Sequence, residues 1–125
     1  MKVRFGILIL LLVFPAAAFG HAEIFFPKSL SLTELRNTGF VLLNVDPDIA
    51  TVNFNLLSPN GIVVASSAAI QIPAGGQLAR LGSELFPNAT AGGWVYVLTD
   101  TEGMQALWLN YNEGLTFLDG AEAIQ

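Results

Sequence analysis

At 125 residues, with no cysteine and five basic against ten acidic side chains, the chain has room for one domain with a single core. It cannot be a disulfide-stapled scaffold and must hold together by apolar burial. Its net charge of −5 repels phosphate backbones and excludes nucleic-acid binding.

Residues 1–20 read as a cleavable signal peptide. Lys2 and Arg4 supply the positive start, residues 5–14 an apolar run, and residues 15–20 a small-residue end. Ala16 with Ala18, or Ala18 with Gly20, satisfies the small-residue rule at the cut, and only cleavage after Gly20 makes His21 the new N-terminus. A retained anchor is the competing reading. Against it, Pro15 and the alanines interrupt a core shorter than the roughly 20 apolar residues a span needs. No membrane span is expected after cleavage. The mature chain keeps Lys28, Arg36 and Arg80 against ten carboxylates, a net charge of −7. Its expected location is secreted or cell envelope, periplasmic or extracellular.

Beyond the leader, short runs of Val, Ile, Leu and Phe alternate with Pro, Gly, Asn and Asp, the pattern of a sandwich or barrel. It predicts seven strands, at residues 23–26, 38–45, 50–57, 62–72, 77–81, 93–99 and 105–111. In 51–56, Val52, Phe54 and Leu56 alternate with polar residues, so one side of that strand is buried and the other wet. Residues 33–37 read either as a short helical turn or as a loop, and 82–86 as a single helical turn stopped by Pro87. Asp46-Pro47-Asp48 and Ser58-Pro59-Asn60-Gly61 both suit hairpin connections, whereas Pro73-Ala74-Gly75-Gly76 bends the chain from one sheet to the other. The predicted organisation is a leader at 1–20, a β-sandwich domain at 21–112 and a C-terminal tail at 113–125. The tail's apolar start, Leu115, Phe117 and Leu118, is a candidate cover for an aromatic face, and its last residues are expected to fray.

Three segments carry a resemblance: Thr38-Gly39-Phe40-Val41-Leu42-Leu43-Asn44, Ile72-Pro73-Ala74-Gly75-Gly76-Gln77 and Gly93-Trp94-Val95-Tyr96-Val97. Together they resemble the immunoglobulin-like or fibronectin-like β-sandwich repeats of bacterial secreted and cell-surface proteins. The match runs from about Phe26 to Tyr111. Asn44-Val45-Asp46-Pro47 departs from it, because the family tends to have Asn directly before Pro. The resemblance implies an all-β, immunoglobulin-like antiparallel sandwich of about seven strands and no catalytic residue.

The chemistry-bearing residues are few. His21 would need a second histidine to hold copper, and a triad or zinc enzyme needs a histidine placed by the fold. Asp46 with Asp48, and Asp100 with Glu102, are close acidic pairs, but two carboxylates per loop are too few for calcium and suit turn formation. Asn88-Ala89-Thr90 fits the glycosylation pattern and marks a surface loop. No catalytic residue, cofactor or metal site is expected.

The aromatic residues near the end are the sharpest lead. If Thr101-Glu102-Gly103 is a three-residue hairpin loop, Tyr96 falls opposite Trp108, and Trp94, Tyr96 and Trp108 share one face as a candidate ligand platform. Val95, Val97, Leu107 and Leu109 then face the core. An even-numbered loop dissolves the patch, and the competing reading puts the rings in the core or under the tail. The expected function is a secreted, non-enzymatic module with a structural or adhesive role at the cell surface. The alternative is a carbohydrate-binding module using that aromatic face. Expected partners are a protein or glycan at the cell surface, or a second copy joined by edge-strand pairing.

Overall fold

The computed structural model describes residues 22–111 and 118–125. Residues 1–21 and 112–117 lie outside them, and with them the expectations of a signal peptide and its cleavage site, and those placed on His21, Leu115 and Phe117. Nine strands and two short helices follow in order: β1 (Ala22–Phe25), α1 (Leu32–Arg36), β2 (Thr38–Asn44), β3 (Ala50–Leu57), β4 (Val63–Ser66), β5 (Ile70–Ile72), β6 (Gln77–Leu81), α2 (Gly82–Leu85), β7 (Trp94–Thr99), β8 (Met104–Tyr111) and β9 (Leu118–Glu122). Among the described residues no helix is long and apolar enough to cross a membrane.

The strands form two antiparallel sheets, so the fold is all-β. The first has the order β1-β7-β3-β4, with β5 also pairing β3; the second has the order β6-β2-β8-β9. Alternation along each strand puts one set of side chains between the sheets. From the first sheet come Ile24, Val52, Phe54, Leu56, Val95 and Val97, and from the second Phe40, Leu42, Leu78, Met104 and Trp108, all buried in one cluster. Phe40 sits at its centre, with ring centroids 4.9 Å from Phe26 and 6.3 Å from Phe54, both edge-on.

The sequence run 62–72 gives two strands where one was expected. Ser67 and the two alanines after it have no branched or aromatic side chain to pack on the pleat. Ser67 Oγ also accepts from Phe54 N and donates to Ala68 O, replacing ladder bonds with local ones. Residues 32–36 settle as helix because Ser31 and Glu34 form a capping box: Ser31 Oγ accepts from Glu34 N at 3.1 Å, and the Glu34 carboxylate accepts from Ser31 N at 2.8 Å.

Two connections differ from expectation. Asp46-Pro47-Asp48 does not close a hairpin, because β2 and β3 lie in different sheets. Residues 100–103 likewise carry the chain from β7 in the first sheet to β8 in the second. The Pro73–Gly76 bend does cross between sheets, from β5 to β6, with Gly75 at φ 72°. Ser58–Gly61 does close a hairpin, from β3 to β4, with Gly61 at φ 81°.

The three crossings meet at one end of the sandwich. Asn44, fully buried, donates from Nδ2 to the carbonyls of Asp48, Ile72 and Pro73 at 2.9, 3.0 and 3.2 Å and accepts from Asp46 N at 3.0 Å. Thr101 Oγ1 donates to the Asp46 carboxylate, and Val45 N donates to Gly103 O at 2.8 Å, which ties the β7–β8 crossing to the β2–β3 crossing.

The tail is a strand. β9 pairs β8, with Trp108 opposite Ala121 and Leu109 opposite Gly120. Ile124 then exchanges both backbone hydrogen bonds with Phe25 of β1, at 2.7 and 2.8 Å, so the last residues pass from the second sheet to the first and close that side. Backbone bonds from Ala123 to Ala106 and between Ile124 and Phe25 hold these residues against both sheets.

Candidate functional site

Trp94 and Tyr96 stand two residues apart on β7 and point away from the core, since Val95 and Val97 point into it. Phe25 of β1 lies directly opposite Tyr96 and joins them. The Phe25 ring is 5.9 Å from both Trp94 and Tyr96, and the last two are 6.3 Å apart, with interplanar angles of 24° to 42°. All three are half-buried, their lower faces packed on the sheet and on one another. Leu57, opposite Trp94 on β3, is buried beneath this outer layer and lies outside the core cluster.

Polar side chains continue the same face across the sheet. The row that begins with Phe25 and Tyr96 runs on to Asn55 and Ser66, and the next row holds Glu23, Leu98 and Asn53. Ser66 Oγ donates to Asn55 Oδ1 at 2.7 Å, and Asn53 Nδ2 donates to Ser67 O at 3.3 Å. The outer face of the first sheet therefore grades from three rings on β1 and β7 to amides and a hydroxyl on β3 and β4. That grading suits a ligand with an apolar side and a rim of hydrogen-bonding groups.

Trp108 does not join Trp94 and Tyr96. β8 pairs β2 and β9 in the second sheet, so a register that counts across a β7–β8 hairpin does not apply. Trp108 points inward and is 5 % exposed, with its Nε1–H unpartnered and the Lys28 ammonium 5.3 Å from its ring. Leu107 and Leu109, expected in the core, are 38 and 39 % exposed on the outer face of the second sheet. Carrying β8 to the opposite sheet exchanges the two parities. Phe25 was missed as a member of the ring cluster. Its signal was local, since Phe25-Phe26 in a strand must put one ring on each face.

The loop carboxylates are fasteners. The Asp46 carboxylate accepts from Asp48 N at 3.0 Å and from the Thr101 hydroxyl, and Asp100 Oδ1 accepts from Thr51 N at 2.9 Å. The Thr101 bond first, and the Asp48 bond second, hold the Asp46 carboxyl below its usual range. The bond from Ser31 N is the main cause that lowers Glu34, with partial desolvation opposing it and the Ser31 hydroxyl and Lys28 adding to it. Among the described residues no three His, Cys, Asp or Glu side chains group as metal ligands.

A cleft of about 400 Å³ lies between β4 and the 85–92 segment. Leu56, Val64, Leu85, Phe86 and Pro87 line it together with Ser and Thr hydroxyls and Asn88 of the glycosylation pattern, and among the described residues no charged side chain does.

No family model and no curated protein matches the chain. Among solved structures, the crystal structure of Thermotoga maritima 1070 is similar, with a TM-score of 0.64 and 12 % identity over 84 % of this chain and 94 % of that one. At that identity the likeness is one of fold: this chain is a two-sheet, antiparallel all-β protein of a shape also present in that Thermotoga structure.

Proposed function

We propose that the chain is an exported, non-enzymatic β-sandwich module with a structural or adhesive role at the cell surface, and that Phe25, Trp94 and Tyr96 form its contact face. The leader-like residues 1–20 support export. The ring cluster carries the functional part of the reading. Three aromatic side chains gathered outside a sheet, when the core already has its own, are surface apolar area that folding alone does not require. The engagement of Glu34, Glu84, Asp46 and Asp100 as caps and loop fasteners supports a structural use of the carboxylates.

The sandwich itself reads as immunoglobulin-like with two places exchanged. In that fold B and E, its second and fifth strands, pair in one sheet, and C lies beside F in the other. Here β2 pairs β6, and β3 lies between β4 and β7, in the same relation. β1 takes the place beside β7 that the last strand would hold, and β8 takes the place beside β2 that the first would hold.

A glycan is the ligand class this face favours. A pyranose offers a C–H face to the rings and hydroxyls to Asn53 and Ser66, which lie one and two strands away, with the buried Asn55 holding the Ser66 hydroxyl in place. Glycan-array binding by the processed chain, lost in Trp94→Ala and Tyr96→Ala with unchanged circular dichroism, is the expected result. Acrylamide quenching in a Trp108→Phe background reports Trp94 alone, and protection of that residue from the quencher would sink the contact-face reading.

A further inference from the structure

We propose that β4 is a self-pairing edge through which two copies of this chain join, antiparallel, into one continuous sheet. The sandwich has four lateral edges, and three are guarded. β1 is bridged by Ile124 and carries Glu23; β9 carries Glu122; β6 carries Arg80 and runs directly into α2. Charges and covering segments of this kind stop strand edges from pairing with other chains. β4 has neither. Residues 49–79, which include all of β3, β4 and β5, contain no charged side chain in a chain with ten carboxylates.

The edge is also apolar. Ile62, Val63 and Val64 are 62, 46 and 54 % exposed. The register shift at Leu56 and Leu57 sets Leu56 opposite Ala65 and Leu57 opposite Val63, which leaves Val64 unopposed and turns both valines outward. Beside them the 400 Å³ cleft gives opposing apolar side chains a receptacle without a charge.

A second copy is the occupant these features fit. Copies that each carry ten carboxylates against at most five basic side chains repel one another over most of their surface and approach most readily where both are neutral. An antiparallel pair of identical edges is self-complementary about a two-fold axis, the commonest symmetry of homo-oligomers. An axis perpendicular to the sheet keeps the same face of both copies on the same side. The two ring clusters on β7 then lie five strand spacings, about 24 Å, apart on one surface. This bivalence rests on the contact-face reading of the rings; the pairing does not.

Sedimentation velocity of the processed chain, from low to high micromolar concentration, tests the pairing without any ligand. The expected species is a dimer that Val64→Lys converts to a monomer and that Leu109→Lys, on the outer face of the other sheet, leaves intact. The chain has no cysteine, so Val64→Cys provides a second measurement: a short bis-maleimide should link Val64→Cys copies and not Leu109→Cys copies. If Val64→Lys fails to fold, the cross-linking result decides. A monomer at every concentration, a dimer that survives Val64→Lys, or a dimer broken by Leu109→Lys instead would overturn the proposal.

Discussion

Asn44 holds two of the sheet crossings together with one amide. Its Nδ2 serves carbonyls on both sides of the sandwich end, and its Oδ1 starts the turn at Asp46. Asn44→Leu keeps the bulk and removes every one of these bonds, leaving the buried Ile72 carbonyl without this donor. Each buried polar group stranded in this way costs about 1–3 kcal/mol, so a loss of roughly 3 kcal/mol is expected, read as a lower urea midpoint with an unchanged slope. The sequence marks Asn44 only as a polar residue ending an apolar strand before Asp46-Pro47. Two of its bonding partners, Ile72 and Pro73, lie 28 and 29 residues away and have no local trace. Asp46 makes a pH-dependent contribution to the same junction. Its folded carboxyl is held below the usual value by Thr101 and Asp48 N, so the stabilisation is complete above the unfolded value, near pH 4, and is lost as pH falls through the lower folded value. Thermal melts between pH 5 and pH 2.5 should therefore show a steeper fall in Tm for the wild type than for Asp46→Asn. Equal slopes would remove Asp46 from the account.

Strands and helices were mostly legible as elements. β3 and β6 have the bounds that their apolar runs and flanking Pro, Gly and polar residues indicate, and β2, β7 and β8 differ by one residue at an end. α1 carried a readable signature, since Ser31 and Glu34 have the spacing of a capping box, and that spacing decides between helix and loop. β9 was not legible. Leu118-Asp119-Gly120-Ala121-Glu122 has one large apolar residue and a central glycine, which reads as a loop. Gly120 is what lets the strand approach, because a Cβ there would lie 2.5 Å from Trp108 O. Truncation after Tyr111 removes β9 and the Ile124 bridge and bares β1 and β8 together. With about 4–8 °C of Tm per kcal/mol in a domain of this size, a drop of at least about 10 °C and increased aggregation are expected in a melting experiment. A truncated chain that melts with the intact one would show that the tail only decorates the fold.

At the scale of the whole molecule the number of layers was readable and the pairing was not. Turn residues say that a chain changes direction; they do not say whether the next strand lies in the same sheet. Asp46-Pro47-Asp48 and Ser58-Pro59-Asn60-Gly61 have similar turn chemistry, yet the first brings the chain to the opposite sheet and the second closes a hairpin within one sheet. The ambiguity was greatest at β7 and β8, where Trp94-Val95-Tyr96-Val97 and Leu107-Trp108-Leu109 are apolar at both parities and fit the core either way up. Resolving it moved Trp108 inward, brought Phe25 to the outer face and left Leu107 and Leu109 facing out on the other sheet. The same connectivity fixes the order in which the molecule can be completed. Ala22 at the start of β1 faces Thr99, and Phe25 is bonded to Ile124 at the far end of the chain. β1 can pair once β7 has formed, the Ile124 bridge is added only when the last residues arrive, and a fold dominated by such distant pairings forms slowly compared with one built from neighbours. The final residues therefore serve as a clasp, tying the first strand to the last across two sheets whose other strands can pair without it.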